Sequence, residues 1–81
     1  MDILFNLVIP KKDLQNIESM SDFVEMIEIK FKRIVETYEC NNLEILFIEK
    51  IDNDYSFVLH SKDKSQMDLA GKELLIFLLE N

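Results

Sequence analysis

Glycine and proline each occur once in 81 residues, at Gly71 and Pro10. Flexible linkers and low-complexity tracts are built from such residues. Their scarcity leads us to read one domain over residues 1–81, with no internal repeat. Cysteine and histidine also occur once each, as Cys40 and His60. A lone cysteine cannot close an intramolecular disulfide, so the fold does not depend on an oxidising compartment. Cys40 is expected at a helix end and His60 at a strand end, with no third group to orient either one. That is not the arrangement of a nucleophile and its base, and no catalytic residue is nominated. Zinc-ligand spacing and a glycine-rich phosphate loop are missing too. Asp52-x-Asp54 lacks the glycine and the bidentate glutamate of a calcium loop. It reads as a hairpin turn, and no metal or cofactor is expected.

Basic residues are outnumbered, nine Lys and Arg against sixteen Asp and Glu, for a net charge of −7. This argues against direct binding to phosphate backbones and to anionic membrane surfaces. Lys11-Lys12, Lys30/Lys32/Arg33 and Lys62/Lys64 each sit beside acids: Asp13, Glu28, Glu36 and Asp63. Nucleic acid is therefore expected only indirectly, through a basic partner. Long apolar runs are lacking as well. Leu74 to Leu79 is the longest, far short of the ~20 residues that span a bilayer. The opening Met1-Asp2-Ile3-Leu4-Phe5-Asn6 is acidic and lacks a small-residue cleavage site. No membrane association and a cytoplasmic location are the expectations.

What the chain does have is apolar periodicity. Ile3, Phe5, Leu7 and Ile9 alternate with Leu4, Asn6 and Val8, and Pro10 then biases the chain away from helix. A strand is expected here, with a short helix capped by Asp2 as the alternative. Leu14, Ile17, Met20, Phe23/Val24, Ile27, Phe31, Ile34/Val35 and Tyr38 recur every three or four residues, which predicts a helical region. Asp22 and Glu25 have capping-box spacing, with Ser19 and Ser21 as neighbouring cap candidates, so the helix is expected to restart near Asp22 after a first turn or two. Asn41-Asn42 is expected to end that helix. Residues 43–51 and 55–60 alternate around Asp52-Asn53-Asp54 and predict a hairpin. A last helix is expected from Ser65, where Ser65 to Asp68 has capping-box spacing. Met67, Ala70, Leu74 and Phe77/Leu78 form its stripe, and mid-helix Gly71 suggests a close contact. The fold class expected is α+β, a three-stranded sheet with two helices on one face, in the order β-α-β-β-α.

Two helices cover only one face of such a sheet. Ile3, Phe5, Leu7, Ile9, Leu43, Ile45, Phe47, Tyr55, Phe57 and Leu59 are assigned to the covered face. Leu4, Val8, Leu46, Ile48 and Val58 are left on the other. The last helix adds Leu69, Leu75, Ile76 and Leu79 beyond its stripe, and Ile29 is stranded among charges. Monomers seldom expose large contiguous apolar patches, and permanent interfaces resemble a core cut in half. The expectation is a protein-binding chain that forms a homodimer or sits in a larger complex, with those residues as its interface. A second expectation is a regulatory inhibitor that presents Glu25, Glu28, Glu36 and Glu39 to a basic partner.

Three passages carry a family resemblance: the first strand running into Ile9-Pro10, the polar loop His60-Ser61-Lys62-Asp63, and the final helix from Met67 to Leu79. In these the chain resembles the small Pcc-type subunit of the KEOPS complex, which makes threonylcarbamoyladenosine on tRNA. The resemblance implies a non-catalytic subunit that pairs through apolar surfaces and scaffolds a tRNA-modifying enzyme. The first helical region here is longer than in that family, and Asp68 or Lys72 falls near the family's basic position in the last helix. The element order, length and acidity also resemble the DNA-damage-inducible protein I family, which implies binding to a recombinase filament. In that family the final helix is carboxylate-rich, whereas here it carries only Asp68, Glu73 and Glu80.

Overall fold

The structure is a computed structural model and describes residues 2–80. It has the expected α+β order. Strand β1 spans Ile3–Pro10, helix α1 Met20–Tyr38, strand β2 Leu43–Ile51, strand β3 Asp54–Ser61 and helix α2 Lys64–Glu80. A 3-10 turn at Lys11–Asp13 follows β1. The strands form one antiparallel sheet in the order β1-β3-β2. The central strand is thus the last one in sequence. Both helices lie on one face, α1 over β2 and α2 over β3 and β1, and they touch each other.

The central position of β3 explains its burial. Tyr55, Ser56, Phe57, Val58 and Leu59 are all buried in succession. A strand flanked on both edges loses exposure on its uncovered face as well. In β1, by contrast, burial alternates: Ile3, Phe5, Leu7 and Ile9 turn toward the helices while Leu4, Asn6 and Val8 are exposed. Phe23, Ile27 and Ile34 of α1 and Met67, Ala70, Leu74 and Leu78 of α2 complete the core. Phe23 packs on Tyr55 with ring centroids 4.9 Å apart and on Phe57 at 6.5 Å, within the favoured range for aromatic pairs.

Four local expectations are corrected. The first helix begins at Met20, close to the restart expected near Asp22, and no helical turn precedes it at Leu14. Leu14 and Ile17 are buried, but from an irregular segment in which Asn16 takes a positive φ. Ser19 is the N-cap: its hydroxyl accepts from the Asp22 amide at 3.2 Å, and the Asp22 carboxylate accepts from the Glu18 amide at 3.1 Å. The helix ends at Glu39, in left-handed geometry at φ 53°, rather than at Asn41-Asn42. At the last helix the cap is Asp63, not Ser65. Its Oδ1 accepts from the Gln66 amide at 3.2 Å.

Asn41 and Asn42 serve instead to fasten the β3–α2 junction. The Asn42 carbonyl accepts from the buried Ser61 hydroxyl, and its Oδ1 accepts from the Lys62 amide at 2.8 Å. Its amide donates to Gln66 Oε1 at 3.0 Å.

The fourth correction concerns β2. Its register with β3 shifts between Ile45 and Phe47, because Ile45 pairs with Leu59 while Phe47 pairs with Val58. Leu46 is therefore the extra residue of a β-bulge. One inserted residue reverses the facing of everything after it, since side chains alternate with period two. Ile48, expected on the open face, packs against the core, and Phe47, expected inside, is exposed.

Candidate functional site

The helix-free face of the sheet is the candidate interaction surface. Strand register defines it row by row. Leu4, His60 and Glu44 form one row, and Asn6, Val58 and Phe47 the next. Val8, Ser56 and Glu49 follow, then Pro10, Asp54 and Ile51. Directly opposed residues in such rows stand ~5 Å apart and diagonal ones ~7–8 Å.

Apolar side chains occupy both flanks of the central strand. Leu4 is 63% exposed, Val8 52%, Phe47 50% and Ile51 60%. Val58, between them, is only 7% exposed. It acts as the floor of the patch more than as a contact. Leu46 at the bulge is also exposed and borders a shallow concavity with Val24, Glu28 and Phe47. Of the residues expected at an interface, Leu4, Val8 and Leu46 are exposed. Ile48 is withdrawn from this face, and Phe47 and Ile51 are added.

The charge on this face is predominantly acidic, with His60 and Lys62 as the basic groups beside it. Asp2, Glu44, Glu49 and Asp54 are exposed around the apolar residues. The only lysine in the three strands is Lys50. It falls in the row of Tyr55 and Ile9, with Nζ 5.6 Å from the Tyr55 ring centroid. The open face is therefore apolar in the middle and acidic at its margin.

His60 is set into this margin. Its Nδ1 lies 2.8 Å from Glu44 Oε1 and its Nε2 3.2 Å from Asp2 Oδ1. A neutral imidazole has one N–H, so two carboxylate acceptors are both satisfied only by the protonated ring. The hydrogen bond to Asp2, then that to Glu44, raises the His60 pKa above its ordinary value. The Asp2 carboxyl is lowered in return, first by its bond to His60. Sequence reasoning placed His60 at the strand end but missed this clamp. Its two carboxylates come from positions 16 and 58 residues away, and no local spacing reports such a contact.

The remaining expected interface residues lie on α2. Leu69 and Leu75 are half-buried, whereas Ile76 and Leu79 are exposed. Leu75 borders a groove between α2 and β1 that is also lined by Phe5, Met67, Asp68, Gly71 and Lys72. A Cβ at Gly71 would stand 3.3 Å from the Phe5 ring, so the expected close contact is one of helix to strand. On the other flank of α2, Lys30 of α1 sits 5.4 Å from the Phe77 ring centroid and 4.0 Å from the Glu73 carboxylate.

Cys40 is buried, and burial followed by the nearby Asp63 charge raises its thiol pKa. A thiol held protonated is a poor nucleophile. Among the described residues there is no group of three or more His, Cys, Asp or Glu suited to hold a metal ion. No described helix is long and apolar enough to cross a membrane. Glu25, Glu28, Glu36 and Glu39 are all exposed, as a solvated helix surface requires. Comparison with family models, curated proteins and solved structures returns no match.

Proposed function

We propose that this chain is a non-catalytic assembly domain of a larger complex and that its open sheet face receives a basic protein partner. The observation that carries this reading is the uncovered face itself. Leu4, Val8, Phe47 and Ile51 are each at least half exposed around Val58, on a face that neither helix covers. An apolar centre with a charged margin is the usual anatomy of a protein interface. The margin of Asp2, Glu44, Glu49 and Asp54 favours a partner that surrounds its own apolar contact with Lys and Arg. The Pcc-type resemblance suggests which complex: one that modifies tRNA, where the basic partner binds the nucleic acid and this chain supports it.

The same acidic margin favours a second reading, a regulator that occupies the nucleic-acid site of a basic protein such as a recombinase. The two readings share the surface and differ in the partner's fate. An assembly domain leaves the partner active, and a regulator inhibits it.

The test is affinity purification from the native cell of the wild-type chain and of a Phe47→Asp/Ile51→Asp variant, both positions lying on β2 away from β1. The expected result is a basic protein retained by the wild type, lost from the variant, and released as salt is raised. Retention unchanged in the variant would remove the open face from the proposal. Elution of the wild type alone, at every salt concentration, would remove the proposal itself.

A further inference from the structure

We propose that β1 pairs edge to edge with β1 of a second copy, antiparallel, about a two-fold axis through Asn6. The inference deepens the assembly reading by naming one partner and one geometry, and it rests on that reading only for its biological purpose.

Strand β1 is an edge strand that pairs with β3 on one side only. It spans eight residues with no register shift. An edge that is long, regular and apolar presents unpaired N–H and C=O groups to any matching strand, and proteins normally blunt such edges. The other edge, β2, is blunted twice: it carries the bulge at Leu46 and the charges of Glu44, Glu49 and Lys50. β1 has neither device. No charged residue occurs from Ile3 to Pro10.

Two features of this strand single out a second copy as the occupant. The first is charge. Each chain carries −7, so two copies repel over most of their surface, whereas a strand without charges lets them approach closely. The second is the order of side chains. Ile3-Leu4-Phe5-Asn6-Leu7-Val8-Ile9 reads nearly alike in both directions about Asn6. Antiparallel pairing about that residue sets Ile3 opposite Ile9, Leu4 opposite Val8, and Phe5 opposite Leu7. Every pair then joins residues of the same face, as a sheet in register requires. Asn6 meets its own copy, and an amide can both donate and accept. Pro10, which lacks an N–H, falls outside the matched seven residues.

The packing gives the pairing further support. Ile3, Phe5 and Leu7 turn toward the helices yet remain only half-buried, because nothing lies beyond the edge. The groove of Phe5, Gly71, Lys72 and Leu75 opens between this strand and α2, and the exposed Leu79 lies one turn further along the helix. Pairing joins two three-stranded sheets into one of six strands and places two α2 helices antiparallel on its covered face. It also makes one continuous surface of the two open faces, so the interface for a basic partner is doubled.

The experiment is sedimentation equilibrium of the full-length chain from about 1 to about 100 μM. The wild type is expected at twice its 9.6 kDa mass. The variants Asn6→Asp and Asn6→Lys are each expected as folded monomers by circular dichroism, because Asn6 is exposed and like charges at a dyad repel. Mixed in equal amounts, the two are expected to recover the dimer, since opposite charges then face each other. Glu44→Lys on the other edge is expected to remain dimeric. A wild type that stays monomeric at the highest concentration overturns the pairing and leaves the assembly domain to its own purification test. A dimer that survives both Asn6 substitutions, or two variants that fail to recover it when mixed, overturns the Asn6 dyad. Should the purification test fail while the wild type dimerises and responds as above, the self-pairing stands without the larger complex.

Discussion

The two edge strands belong to one sheet and flank the same central strand, yet they solve opposite problems. β2 carries a bulge, three charges and an acidic neighbourhood, and its outer edge is poorly suited to further pairing. β1 is regular and uncharged along its whole length. Exposed edges are commonly blunted by charges and bulges, and of the two strands β2 carries both. The difference separates a terminated edge from an open one. It also shows how much one residue decides. Without Leu46 as an insertion, β2 would alternate as simply as β1 does.

The bulge makes the largest prediction. Phe47 and Ile48 are neighbours of opposite facing, so truncation should cost the smaller residue more. Ile48→Ala is expected to lose about 2 kcal/mol of stability and Phe47→Ala less than about 1 kcal/mol. Urea unfolding of the two variants decides the matter, and the reverse order would mean an unbulged strand.

Deleting Leu46 sharpens the comparison from the other side. It removes the extra residue and leaves Phe47 and Ile48 facing as they do now. The fold is expected to survive at a cost of about 1 kcal/mol, while β2 becomes regular and gains a tendency to self-associate. Circular dichroism together with light scattering would show both effects. A deletion variant that associates no further than the wild type would break the link between the bulge and edge protection.

A smaller effect concerns the clamp that ties β1's approach to β2 across β3. The raised pKa of His60, due first to Asp2 and then to Glu44, means that its protonated form stabilises the folded chain. That contribution is complete below the ordinary histidine value of 6.5 and is lost as pH rises through the folded pKa. Asp2 is lowered, so its share is present above 3.8 and is lost as pH falls through its folded pKa. The clamp should therefore act most between about pH 4 and about pH 6.5. Unfolding midpoints measured near pH 6 and pH 8 should fall more for the wild type than for His60→Gln. Parallel changes in the two proteins would dismiss the clamp.

The smallest effect is expected at Tyr55, on the buried face. Its hydroxyl is buried and has no protein hydrogen-bond partner among the described residues. Tyr55→Phe is expected to change stability by less than about 1 kcal/mol, and in the stabilising direction, because no hydrogen bond is lost and a desolvated group is removed. A loss of 2 kcal/mol or more in a thermal melt would reveal a partner for that hydroxyl.

Much of the architecture is written in local patterns. Period-two alternation from Ile3 to Ile9, the Asp52-Asn53-Asp54 turn and the stripe through Phe23, Ile27 and Ile34 each report an element, because each depends on neighbours in sequence. Asp52 takes the positive φ expected of that turn. Local patterns also fail in recognisable places. Leu14 and Ile17 continue a helical stripe in sequence but reach the core from an irregular segment, since burial and not helicity selects apolar residues. Asp63 and Ser65 were both chemically able to cap α2, and the hydrogen bonds of Asn42 with Ser61 and Lys62 fix the chain so that Asp63 does so.

By itself, then, the sequence determined the number, kind and order of the elements and a surplus of apolar residues beyond what two helices cover. Hydrogen bonding and side-chain periodicity act over a few residues, so they are legible there. Only the tertiary structure decided that the last strand lies at the centre, that Leu46 bulges, and that His60 meets Asp2 and Glu44. Those outcomes depend on contacts between residues far apart in the chain. They turn a surplus of apolar residues into two distinct surfaces: an open face with an acidic margin and a bare, uncharged edge.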